Sequence, residues 1–225
     1  MLKFHISQAN KLIGQDSHLP FWISMIQESQ KVTDLKSKNI MDFGCGEGKL
    51  LRIIDLFDHS IQTRVGVEID DNLIHIAISN INNDKLNYIH YRELPTLSNQ
   101  SFDIIYSQEV LYTLPNLELH ANEMFNLMAH DSYYFATMGC HTDNPLWEYR
   151  KGVIRSENTF PVNDYSLQDI VDVFHDAGFA VMIKRLPVTY SIYYDPIETK
   201  RFSKSIVDLV DNIYNYKMLF TFYKR

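Results

Sequence analysis

From Lys38 onward the chain alternates short apolar runs with segments whose apolar residues recur every three to four positions. That alternation predicts strands joined by helices in βαβ units, hence a largely parallel sheet. NIMDF (39–43) predicts a first strand buried on both faces. Just after it, Leu50, Leu51, Ile54 and Phe57 share a helical face. TRVGVEI (63–69) predicts the second strand. Leu73, Ile74, Ala77, Ile78 and Ile81 then line one face of a helix that Asp71 or Asn72 can cap. LNYIHY (86–91), FDIIYS (102–107) and SYYFATM (132–138) predict the third, fourth and fifth strands, with a helix near 117–129 before the fifth. A long loop over 139–165 then leads to a helix near 167–177. FAVMIKRL (179–186) and YKMLFTFY (216–223) predict the last two strands.

One domain is expected over 1–225. Residues 1–36 form an N-terminal helical cap, helical around Phe21–Val32. Residues 38–186 form the core and 187–215 an insertion with a helical pattern from Ile197 to Ile213, before the final strand. An insertion of that length is either a lid or an interaction surface.

Composition narrows the partners. Acidic residues number 28 against 21 basic, a formal net charge of -7, which argues against nucleic acid as a partner. Lys200, Arg201 and Lys204, like Lys224 and Arg225, read as solvated surface. Cys45 and Cys140 have no metal-ligand spacing, so neither a disulfide framework nor a metal site is expected. The N-terminus matches no targeting signal, and no apolar run reaches the roughly 20 residues a bilayer requires. A cytoplasmic protein without membrane contact is expected.

The chemistry centres on Asp42-Phe43-Gly44-Cys45-Gly46-Glu47-Gly48. A glycine turn between strand and helix lets a ligand approach the backbone. The dinucleotide fingerprint needs its third glycine one position later, where this chain has Lys49, so a nicotinamide or flavin cofactor is disfavoured. Asp42 would repel a pyrophosphate and favour a cationic or amino-bearing ligand. Glu68 closes the second strand, where a carboxylate accepts hydrogen bonds from ribose hydroxyls. Either acid alone is equally an ordinary strand-end polar group; the pair together is the signal.

IMDFGCGEGKLL resembles motif I of class I S-adenosylmethionine (SAM)-dependent methyltransferases, and VGVEIDDNLIHIA is similar to their second-strand motif. LPTLSNQSFDIIYSQEVLYTLPN and NDYSLQDIVDVFHDAGF resemble the stretches around the family's fourth strand and before its sixth. The resemblance covers 38–186 in order. It implies a Rossmann-like, seven-stranded, mostly parallel sheet with helices on both faces and an antiparallel last strand, with SAM as cofactor. Gly44, Cys45, Gly46 and Gly48 would make room for its methionine and ribose parts, with Asp42 near the amino group. Glu68 would bind the ribose hydroxyls and Ile69 would pack on adenine. Ser107 and Gln108 would border the methionine end. The family's adenine-binding Asp is replaced here by His90, leaving backbone contacts from Tyr91 or Arg92 as substitutes.

The acceptor is expected to be a small molecule methylated on an oxygen, or alternatively a small molecule or peptide methylated on a nitrogen. A hydroxyl acceptor needs a base. His141, at the sheet's carboxyl edge, is the first candidate, with a loop histidine of no role as the alternative. His18, Trp22, Tyr106, Glu109, Tyr112 and Tyr193 are candidates for the acceptor pocket, each with core packing or surface placement as its alternative. The tyrosines of 190–194 serve equally as an acceptor cover or as the contact of a homodimer. A non-catalytic SAM-binding partner protein is the further alternative.

Overall fold

In the computed structural model, which describes residues 6–14, 16–81, 84–157, 160–192 and 194–225, seven strands form one sheet. The strands are β1 (Asn39–Phe43), β2 (Thr63–Glu68), β3 (Leu86–His90), β4 (Phe102–Gln108), β5 (Met128–Met138), β6 (Ala180–Arg185) and β7 (Met218–Lys224). Their order is β3-β2-β1-β4-β5-β7-β6, and β7 runs antiparallel to both of its neighbours. The antiparallel last strand and the parallel core expected from the sequence are therefore present.

Side chains alternate across the sheet with the two-residue strand period. Ile40, Ile104, Tyr106 and Phe135 face a core built with α1 (Ile6–Ile13), α2 (Leu19–Ser29), α3 (Lys49–Phe57) and α4 (Asp71–Ser79). Met41, Ile105, Tyr134 and Phe222 face the opposite core, built with α5 (Leu117–Leu127), α6 (Trp147–Glu157) and α7 (Leu167–Asp176). Asp70 caps α4 by accepting from the Asn72 and Leu73 amides, one residue before the expected Asp71 and two before Asn72. Ser166 and Asp169 form a capping box at α7.

Three expectations are corrected. The segment 139–165 is not all loop, because it contains α6. Its apolar face is narrow: Trp147, Lys151 and Ile154 are its buried residues, at helical spacing. The insertion is not one helix over Ile197–Ile213 but α8 (Pro196–Phe202), α9 (Ile206–Asp211) and a π-turn (Asn212–Tyr216). Ser205 divides it by capping α9 at the Asp208 amide, since a serine cap starts a new helix better than it continues an old one. Finally, β5 begins at Met128, four residues early, with a register irregularity opposite Phe102 and Ile104. No helix among the described residues is long and apolar enough to cross a membrane.

Candidate active site

The strand order reverses between β1 and β4, and in open α/β sheets the crevice at the carboxyl ends of such strands collects ligands. A cavity of about 300 Å³ lies there, lined by Asp42, Gly44, Cys45, Gly46, Glu47, Lys49, Leu50, Gln108 and Glu109. The N-terminal cap supplies the rest of the wall through Asp16, His18 and Trp22.

The three glycines have different jobs. All have positive φ, which glycine alone adopts without strain. A Cβ on Gly44 would meet Val110 Cγ2 at 2.3 Å, and one on Gly48 would meet the Tyr88 hydroxyl at 2.2 Å. A Cβ on Gly46 would meet nothing within 4 Å. The expectation that all three make room for ligand is therefore narrowed: Gly44 and Gly48 admit neighbouring side chains, and Gly46 faces open space.

Asp42 is 3% exposed and accepts no hydrogen bond from the described residues. Burial, reinforced by the nearby Glu68 carboxylate, pushes its carboxyl well above the usual range. A cation entering the cavity relieves both penalties, so a ligand carrying an ammonium and a sulfonium fits this wall. Glu68 lies just beyond. Its Oε2 accepts the Gly46 amide at 2.8 Å and its Oε1 the Ile69 amide at 2.7 Å, which fixes the carboxylate and ties the glycine loop to β2. Ile69 is 69% exposed, an apolar surface with no protein cover. Tyr91 lies at the carboxyl end of β3, with its ring edge-on to Phe43 and its hydroxyl on Glu123. The Arg92 amide donates to His90 Nδ1 at 2.9 Å. Ser107 is buried in β4, one residue before Gln108 on the cavity wall.

A second cavity of about 380 Å³ adjoins the first, and His18 and Glu109 line both. Its walls come from Phe21 of the cap, Tyr112, α6, and the 195–217 segment. Glu109 follows β4 with φ +57, an uncommon conformation for a non-glycine residue, held by its amide donating to Thr137 O at 2.8 Å. Its Oε1 accepts Lys217 Nζ at 2.5 Å and the Gly139 amide at 2.9 Å. Burial opposes ionisation of Glu109, but Lys217 and Arg150 outweigh it and hold the carboxyl below its ordinary value.

Two sequence candidates are displaced. His141 is 1% exposed, lines neither cavity, and its Nε2 donates to Tyr216 O at 2.8 Å. It ties the loop after β5 to the π-turn instead of facing an acceptor. Tyr106 is fully buried, with its hydroxyl 2.6 Å from Ser29 Oγ, and joins α2 to the sheet. Trp22 stays with the first cavity and Tyr112 with the second. Tyr193 lies outside the described residues.

Sequence reasoning missed Asp16. His18 Nδ1 lies 3.0 Å from Asp16 Oδ1, which also accepts the His18 amide at 2.8 Å, and Lys49 Nζ reaches Asp16 Oδ2 at 2.9 Å. Burial works against the Asp16 anion, yet the His18 and Lys49 hydrogen bonds hold its carboxyl well below the usual range. An Asp two residues before a His was visible in the sequence; that both would meet the glycine loop was not.

A family model described as a methyltransferase domain matches residues 22–183, well over half of the chain. No curated protein matches the sequence. Among solved structures, the chain is similar to one from the complex between the Haloferax volcanii Trm112 methyltransferase activator and a methyltransferase. The identity is 14%, over 96% of this chain and 93% of that one, with a TM-score of 0.75. It is also similar to geranyl diphosphate C-methyltransferase from Streptomyces coelicolor, with 15% identity over 100% and 84% of the two chains and a TM-score of 0.70. That structure holds Mg2+, geranyl diphosphate and S-adenosyl-L-homocysteine (SAH). Phosphoethanolamine N-methyltransferase 2 from Haemonchus contortus gives 14% identity over 90% and 52% of the chains, TM-score 0.70. At such identities these likenesses speak for the fold, while the family match speaks for the cofactor. The chain belongs to the methyltransferase-domain family and is a SAM-dependent methyltransferase.

Proposed function

We propose that the chain methylates an oxygen of a small-molecule acceptor bound in the second cavity, with His18 as the base. One observation carries this reading: His18 lines both cavities and is oriented by Asp16 at 3.0 Å. Because Asp16 is held as an anion, His18 Nδ1 donates to it, and Nε2 is the ring nitrogen turned to an acceptor. A hydroxyl at the junction gives its proton to Nε2 as its oxygen bonds to the methyl carbon. The carbon–sulfur bond breaks, its electron pair stays on sulfur, and SAH leaves. The donor is already activated by its positive charge, so the protein's share is alignment, proton removal and exclusion of water.

In this reading Asp42 faces the amino-acid end of SAM, Gly46 gives its backbone room, and Glu68 and Ile69 take the ribose and adenine. Tyr91 and Arg92 border adenine by their backbone, and Ser107 and Gln108 border the methionine end. Nitrogen is the second reading, favoured by Glu109 Oε2, which is buried without a partner and would accept an amine N–H.

The test is SAH release with matched alcohol and amine acceptors, with the product identified by mass spectrometry. His18→Ala should lower kcat on the alcohol by about 10²-fold or more and leave SAH affinity within a few-fold. Unchanged turnover on an alcohol would sink the base assignment, and a product methylated only on nitrogen would sink the oxygen assignment.

A further inference from the structure

The second cavity has a charge arrangement that methyl transfer itself does not require. At its inner end lie Lys217 and Arg150, with Glu109 as the adjacent anion among the described residues. The Lys217 side chain is 4% exposed, and its ammonium sits over the Phe21 ring at 4.3 Å. It has three N–H donors, and the Glu109 contact occupies one of them. Arg150 has five, of which NH1 donates to Asn212 Oδ1 at 3.0 Å while the buried Nε has no partner. Asn212 is itself held, its Oδ1 also accepting from Asn144 Nδ2 at 2.7 Å. The other charged groups on the wall are more exposed and engaged elsewhere. Arg201 pairs with Glu157, and Asp195 accepts the Ile197 amide at 2.7 Å. Cations and anions balance over the whole wall, but the inner end keeps a surplus of one positive charge and several unused donors.

Resting on the methyltransferase reading above, we infer that this end of the cavity binds an anionic oxygen group of the acceptor, a carboxylate or a phosphate monoester. Arg150 presents a planar fork that matches either group, and Lys217 adds a point charge from the other side. An ammonium acceptor would instead meet the buried Lys217 and the half-buried Arg150, two cations in a partly desolvated site. Glu109 pre-positions the pair: it holds Lys217 and offsets the mutual repulsion of the two cations when no acceptor is bound. Because Glu109 also lines the cofactor cavity, the anion sits beside the methyl donor, not at the far end of the pocket. Phe21, Tyr112, Ile154, Phe160 and Leu209 give the remaining wall an apolar stretch. The acceptor class is therefore a hydroxylated small molecule with an apolar body and an acidic group near the methylated oxygen.

Calorimetric titration of the full-length protein with 4-hydroxybenzoate, its methyl ester and phenyl phosphate, each with and without SAH, tests this. The acid or the phosphate should bind at least 10-fold more tightly than the ester, the stronger of the two naming the anion. Arg150→Gln should abolish that preference while SAH affinity stays within a few-fold; Arg150→Lys, which keeps the charge in a smaller group, should restore part of it. Equal binding of acid, phosphate and ester to wild type would overturn the proposal, as would an unchanged preference in Arg150→Gln. Failure of SAH to bind would instead strike the cofactor reading, since the anion preference is read without SAH as well.

Discussion

At the scale of single residues, Asp42 shows how a site can be built against the stability of the protein that holds it. Its folded-state pKa lies above the unfolded value of about 3.9, so the native state binds more protons. Stability from this group is full below the unfolded value and is lost as pH rises through the folded one. Asp42→Asn should therefore stabilise the ligand-free protein at neutral pH, because it removes the cost of burying the carboxylate. Thermal unfolding at pH 4 and pH 7 checks this, with the larger gain expected at pH 7. SAH affinity should move the other way, because the cationic amino group prefers the ionised carboxylate. Wild-type binding should strengthen as pH rises and release a proton, seen as a calorimetric enthalpy that depends on the buffer's ionisation heat. Loss of that buffer dependence in Asp42→Asn would assign the proton to this residue. His18 and His141 both lie near the sheet's carboxyl edge, but His18 is open to the cavities beside Asp16, whereas the His141 imidazole is turned into the protein and bonded to Tyr216.

At the scale of elements, the β1–α3 turn separates folding from binding within five residues. Gly48→Ala would force φ +74 on a residue with a Cβ and drive that atom into the buried Tyr88 ring. The two effects together should cost about 2–4 kcal/mol in urea unfolding. Gly46→Ala has only the conformational penalty, about 1–2 kcal/mol, but should weaken SAH binding by more than 10-fold because its methyl enters the cofactor space. If Gly48→Ala proved the milder of the two in stability, the division of roles would be wrong. The strands were legible because each is a short apolar run closed by turn chemistry, and the glycine turn because its spacing is unusual. Helix α6 was not, because a stripe of three buried residues, one of them a lysine, is too thin to separate from loop composition. The division of the insertion at Ser205 depended on which way the chain turned, which local propensity leaves open.

At the scale of the whole molecule, the N-terminal cap and the insertion converge on the carboxyl edge of the sheet. The 16–22 segment closes the first cavity, while α6 and the 195–217 segment close the second. SAH should therefore slow amide hydrogen exchange in 16–22 and 44–49 and leave the β6–β7 edge unchanged. Protection confined to 44–49 would show that the cap takes no part in binding.

The sequence by itself determined the βαβ core, the glycine turn after β1, and the placing of Asp42 and Glu68 at the ends of the first two strands. These follow from local patterns: alternation, turn chemistry, and polar groups at strand ends. Only the tertiary structure decided that Asp16 orients His18, that Tyr106 and His141 turn inward, and that Glu109, Arg150 and Lys217 meet. Glu109 and Lys217 are 108 positions apart, and no period along the chain encodes their approach. It follows from β7 entering the sheet antiparallel beside β5, which brings the residue before that strand to the edge where β4 ends.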